Sequence, residues 1–137
     1  GVGSDSNIRI SAVEELRQLE YSQRLRDRLR VVLAKPGESA GRRLYGRALA
    51  GGARALGRNA GAIEPGGWAD LVALDPGAFS ALTGDAALDA WIFCAGNAAV
   101  SDLWSAGRHR VRAGRHVARD GIEARYMACL AGIMERF

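Results

Sequence analysis

Apolar residues recur at helical spacing over residues 11–34. Val13, Leu16 and Leu19 share one side of a 3.6-residue wheel, whereas Leu25, Leu29 and Val32 fall about half a turn away. The pattern predicts a helix over this whole stretch, bent near Tyr21-Ser22 or buried on two sides. Ser11-Ala12-Val13-Glu14 has the S-x-x-E form of a capping box at its start. Glu20 and Arg24 stand four apart with the acid first, the favourable order for a helical ion pair. Lys35-Pro36-Gly37-Glu38 then breaks the pattern, and Ser39 caps a second predicted helix reaching about Leu56, with Gly57 as its stop. The contact positions of that helix (Leu44, Ala48, Gly51, Gly52, Ala55, Leu56) are mostly small, which predicts close approach by another backbone.

Past residue 60 the periodicity changes. Pro65-Gly66-Gly67 turns the chain into a short apolar run, Leu71 to Leu74, that ends at Asp75-Pro76-Gly77 and reads as a buried strand. Helical spacing returns over residues 85–95, with Leu88, Trp91, Ile92 and Ala95 on one side and Asp85 as cap. Val100 to Ala106 and Arg108 to Arg112 read as strands, the first with imperfect alternation, and a turn at Ala113-Gly114-Arg115 follows. Residues 122–137 form an amphipathic helical pattern with Tyr126, Leu130, Ile133 and Met134 on its apolar side.

The 137 residues suit one domain with a real core. Hydrophobic content of 48% and charged content of 25% are ordinary for a globular protein. No apolar run approaches the roughly 20 residues that span a bilayer, and no secretory pattern opens the chain, so a cytoplasmic location without membrane attachment is expected. Cys94 and Cys129 fit no zinc or redox spacing, and their apolar neighbours predict buried thiols. The net charge of +4 invites a nucleic-acid partner, but Lys35 is the sole lysine and the arginines of residues 24–30 spread around the helix instead of clustering. A solvated or subunit-facing surface, with no nucleic acid, is the expectation. His109 and His116, seven apart among arginines, lack the spacing of a metal pair and read as exposed strand residues.

The opening Gly1-Val2-Gly3-Ser4-Asp5-Ser6-Asn7-Ile8 runs from small residues to one carboxylate and almost at once into a helix. If Val2 ends a strand, Asp5 occupies a strand-to-helix loop, where parallel α/β folds place their active sites. Otherwise Asp5 is a turn residue. A useful strand needs about five residues, and about three precede Asp5, so an upstream part is expected to be missing.

These segments together resemble the amidohydrolase superfamily. Gly61-x-Ile63-x-x-Gly66-x-x-Ala69-Asp70-Leu71-Val72-x-Leu74-Asp75 is similar to the segment by which such chains leave their barrel and re-enter a small β-domain. Val100-x-Asp102-Leu103-Trp104-x-Ala106-Gly107-Arg108, followed by Asp120-Gly121, is similar to that domain's closing strands. Gly3-Ser4-Asp5-Ser6 resembles the end of barrel strand eight, where the superfamily places a metal-binding aspartate. Glu14-Glu15-Leu16-Arg17-x-Leu19-Glu20-Tyr21-x-Gln23-Arg24-Leu25-Arg26 narrows the resemblance to the formimidoylglutamate deiminase family, which favours a histidine where this chain has Asn7.

The resemblance implies an α/β fold: the carboxyl-terminal fragment of a (β/α)8 barrel with part of a small β-sandwich. Residues 1–60 would hold the end of strand eight and outer helices, 61–122 the β-domain return with an inserted helix near 85–95, and 123–137 a final helix. It implies a metal-dependent hydrolase of bacterial histidine degradation that converts N-formimidoyl-L-glutamate to N-formyl-L-glutamate and ammonia, homodimeric when complete. Asp5 would be both a zinc ligand and the proton shuttle. The family's other ligands are histidines, including an H-x-H pair that this chain lacks, so the expected partner is the missing amino-terminal part, and the chain alone is expected to be inactive. The alternatives are another deaminase of the superfamily, or a basic binding or assembly module that is no enzyme.

Overall fold

The computed structural model describes residues 1–6, 8–75 and 77–136, so Asn7, the Pro76 of the turn after Leu74, and Phe137 lie outside the described residues. Helix α1 spans Ala12–Asp27. Ser11 precedes it in extended conformation, and its hydroxyl accepts the Glu14 N–H at 3.3 Å. The other half of the expected box is diverted, because the Glu14 carboxylate takes the Arg9 guanidinium at 2.7 Å.

The helix stops seven residues short of the predicted end, at Arg28, whose φ of 53° is left-handed. The reason is Glu20. This fully buried carboxylate accepts the main-chain N–H groups of Val32 and Leu33 at 3.0 and 3.1 Å, and Arg24 Nε at 2.8 Å. Those amides can reach it only if the chain has already turned back along the helix. The split apolar pattern is thereby resolved: Val13 and Leu16 enter the core, Leu25 and Leu29 stay exposed, and Leu33 packs against the core from the returning strand of chain.

Helix α2 spans Ala40–Leu56, with the Ser39 hydroxyl accepting Arg42 N–H at 2.9 Å and Gly57 at φ 62° ending it, as the sequence predicts. Helix α3, Gly84–Ala90, continues as a π-helical turn, Trp91–Ala95. Its cap position is Thr83, and Asp85 instead pairs with Arg42 at 2.7 Å. Val13, Leu16, Leu44, Trp91 and Ile92 form the core, joining α1, α2 and the π-helical turn. Tyr45 meets Trp91 edge-on at 5.4 Å, and Trp91 Nε1 donates to the Gly96 carbonyl at 3.1 Å. At the contact of α2 with α3, Gly41 N–H donates to Asp89 Oδ1 at 2.6 Å, and a Cβ on Gly41 would stand 2.8 Å from Asp89 N.

Strands β1 (Leu71–Leu74), β2 (Val100–Ser105), β3 (Arg108–Arg112) and β4 (Arg115–His116) form one antiparallel sheet in sequence order. Register shifts at Ala73/Leu74 and at Leu103/Trp104 account for the imperfect alternation of residues 100–106. Ala106-Gly107 and Ala113-Gly114 both turn with positive φ, the backbone of the tight hairpins whose twist matches the strands. Asp70 Oδ1 accepts the Ala106 N–H at 2.7 Å and so ties β1 to the first of these turns.

The expected β-sandwich portion is thus a single four-stranded sheet. No parallel pair is found among the described strands, and the strand expected before Asp5 is not formed. A barrel strand needs neighbours on its edges to hydrogen-bond, and none of the described strands pairs with Gly1-Val2. Helix α4, Arg119–Met134, starts three residues ahead of its expected position and buries none of its residues. Both cysteines are exposed, contrary to expectation. Trp91 and Ile92 take the core positions of the π-helical turn, leaving Cys94 outside, and Cys129 lies on the bare α4. No helix of the described residues is long and apolar enough to cross a membrane.

Candidate active-site turn at Asp5

The opening segment is set by α2. Gly51 has no Cβ, and one added there would collide with the Gly1 backbone, while a Cβ on Gly1 would meet Gly52 N at 3.6 Å. The small residues therefore do what their pattern predicts, admitting a backbone where side chains would stand. Four residues on, the chain reverses in a tight turn: Ser6 N–H donates to the Ser4 carbonyl at 2.6 Å, and the Ser6 hydroxyl donates to the same oxygen at 3.4 Å. Asp5 sits at the apex with φ 60°.

A left-handed backbone costs a non-glycine residue roughly 1–2 kcal/mol, though aspartate tolerates it better than most. Such strained positions cluster at functional sites. Asp5 is exposed, as are Val2, Ile8 and Ile10 around it. Beyond the turn the chain is pinned again: Ser11 Oγ donates to Asn97 Oδ1 at 3.0 Å, and Asn97 Nδ2 donates to the Ile10 carbonyl at 3.2 Å. The carboxylate is thus held out on a short loop with both ends fixed, one on α2 and one on the Asn97 turn.

Two depressions lie near α2. One, of about 270 Å³, runs beside the opening segment and is lined by Val2, Leu16, Leu19, Leu33, Leu44 and Arg47, among others. The other, of about 440 Å³, is lined by Arg42, Arg43, Arg47 and Asp85, among others. Asp5 lines neither.

A catalytic zinc needs about three protein ligands. Among the described residues no group of three or more His, Cys, Asp or Glu lies together, so this chain's own donors do not fit such a site. The histidines stay in the sheet, as expected, but His109 is no idle surface residue. Its Nε2 lies 2.7 Å from Asp102 Oδ1, its ring stacks on Trp104 at 4.4 Å, and its Nδ1 accepts Arg112 Nε–H at 3.0 Å. With Nδ1 accepting, the proton belongs on Nε2, directed at Asp102. The hydrogen bond from His109 outweighs the burial that pushes the other way and, with a weaker one from Ser101, holds the Asp102 carboxyl below its usual range. Sequence spacing concealed this group. A two-residue hairpin at Ala106-Gly107 puts Trp104 opposite His109, and the turn residues were the available signal.

Among the arginines, Arg9, Arg24, Arg26, Arg42, Arg115 and Arg119 form ion pairs with carboxylates.

No protein-family model matches the chain. It is 44% identical over 138 aligned positions to formimidoylglutamate deiminase of Pseudomonas aeruginosa, an alignment covering 98% of this chain and 30% of the relative. The crystal structure of an amidohydrolase from Brucella melitensis superposes with a TM-score of 0.89 at 41% identity, again over 98% of this chain and 30% of the other. The chain spans less than a third of the length of the relatives it matches. Almost the whole of it is thus similar in sequence to a portion of formimidoylglutamate deiminase and in fold to a portion of an amidohydrolase, and the resemblance drawn from its motifs holds.

Proposed function

We infer that this chain acts as part of a deiminase that hydrolyses N-formimidoyl-L-glutamate to N-formyl-L-glutamate and ammonia, with Asp5 at the reacting centre. The observation that carries the reading is the 44% identity along 98% of the chain to a protein of that name. The strained, exposed turn that presents Asp5 supports the choice of residue.

The chemistry asks for little from this chain but asks it exactly at one atom pair, the carboxylate oxygens of Asp5. Water adds to the amidine carbon of the substrate, giving up a proton as its oxygen bonds. An ionised carboxylate beside that water accepts the proton. It then returns the proton to the departing nitrogen, and as the carbon–nitrogen bond breaks the new hydroxyl's own proton follows to the same nitrogen, so that ammonia leaves and the carbonyl forms. Asp5 would also be one oxygen donor to a metal, the remaining ligands lying outside this chain.

The test is ammonia release from formimidoylglutamate by this chain co-expressed with the part of the Pseudomonas aeruginosa relative that it does not match. Turnover by the assembled protein, reduced on the order of 10²–10⁴-fold by Asp5→Asn, is the expected result. An assembled protein that releases no ammonia, or equal turnover by the Asp5→Asn form, would overturn the reading. The 137 residues by themselves should show no turnover.

A further inference from the structure

The chain exposes far more surface than its mass warrants. Its accessible area is 10024 Å² at 14.6 kDa, where a compact monomer of that size would expose about 6,900 Å². Of the exposed large apolar residues, Ile122, Tyr126, Met127, Leu130, Ile133 and Met134 lie on α4. Ile122, Tyr126, Cys129 and Ile133 follow one another at spacings of four, three and four, the seam by which one helix packs against another. Tyr126 is 62% exposed and Ile133 46%, with Leu130 flanking them. The start of the helix is steadied by the Arg119–Glu123 pair at 3.1 Å and by Arg115 with Asp120. No residue of α4 is buried by the rest of the chain. The Brucella melitensis structure matches 98% of this chain, which covers only 30% of that one, so most of that chain lies outside the match.

We propose that this seam is the docking face for a helix from the portion of a full-length deiminase that the chain does not match. The proposal rests on the reading that this chain works as part of such an enzyme. A second copy fits less well. A helix of sixteen residues is about 24 Å long. Pairing two such seams would bury less than the roughly 1,200 Å² of a stable interface, and would leave the groove beside Val2 and Leu16 bare. The remainder of the relative is large enough to cover both.

Cys129 stands in the middle of the seam and reports on it directly, once Cys94→Ser leaves it as the one thiol. Its alkylation by a maleimide is followed in the chain alone and in the complex co-expressed with the unmatched part of the Pseudomonas aeruginosa relative. The expected result is a 1:1 complex by native mass spectrometry in which Cys129 reacts at least about tenfold more slowly, about 1.4 kcal/mol of protection. In the Tyr126→Glu/Ile133→Glu variant, whose substitutions are solvent-facing in the isolated chain, fast labelling should return. Failure to form a complex, a complex with Cys129 as reactive as in the free chain, or protection that grows with the concentration of the chain alone would each overturn the proposal. The last of these would point to self-association. A protected Cys129 in a complex that releases no ammonia would uphold the docking face and sink the proposed reaction instead.

Discussion

Glu20 accepts the main-chain N–H of Val32 at 3.0 Å from a position with no exposed surface. One buried carboxylate therefore decides where α1 ends, because the turn at Arg28 is what brings residues 32 and 33 within its reach. Burial pushes the Glu20 carboxyl up, but the hydrogen bond from Arg24 and the amides of Val32 and Leu33 together outweigh it and hold the group below its ordinary value.

A depressed folded-state value stabilises the fold above the unfolded pKa, about 4.3 for glutamate, and that stability is lost as pH falls through the folded value. Chemical denaturation followed by circular dichroism should show stability dropping below about pH 4, and less steeply in Glu20→Gln. Glu20→Ala, which leaves Arg24 and two amides without their partner, should cost on the order of 3 kcal/mol at neutral pH.

Gly41 and Gly46 lie on the same helix with opposite prospects. A methyl on Gly41 would press into Asp89 N at 2.8 Å, whereas nothing lies within 4 Å of one on Gly46. Gly41→Ala should destabilise by roughly 1–3 kcal/mol through overpacking. Gly46→Ala should stabilise by up to about 1 kcal/mol through helix propensity. Denaturant midpoints of the two variants check both signs at once.

Ala106 turns with φ 51° immediately before Gly107. Asparagine is preferred at this place in a tight hairpin. Ala106→Asn should therefore stabilise the β2–β3 hairpin by about 0.5–1 kcal/mol, visible as slower amide exchange at Leu103 and Val111.

Asp5→Gly separates strain from chemistry. It relieves the left-handed backbone at the apex, so thermal stability should hold or rise by about 1 kcal/mol. Under the proposed function, turnover by the assembled enzyme should nevertheless fall as far as with Asp5→Asn, because the proposed proton acceptor is gone.

Local signals in the sequence carried well wherever the stabilising contact was itself local. Ser39 and Gly57 bound α2 where expected, and the Gly and Asp residues flanking Leu71–Leu74 bound β1. The end of α1 was not legible, because an acid at position 20 gives no sign that amides twelve and thirteen residues later will find it. The exposure of Cys94 and Cys129 was equally hidden: apolar neighbours describe composition, while burial depends on which face meets the core. Of the candidate site, Asp5 was visible as a loop carboxylate, but its positive φ and the anchoring of Ile10 by Asn97 are products of tertiary structure.

The bare contact between Gly1 and Gly51 gives the turn at Asp5 its mechanical reference. Two main chains in touch, with no flexible side chain between them to absorb a shift, act as a stiff spacer. Under the proposed function, a sliding of α2 along its axis would shift the main chain that leads to Asp5, so the seating of that helix bears on where the proposed proton acceptor stands.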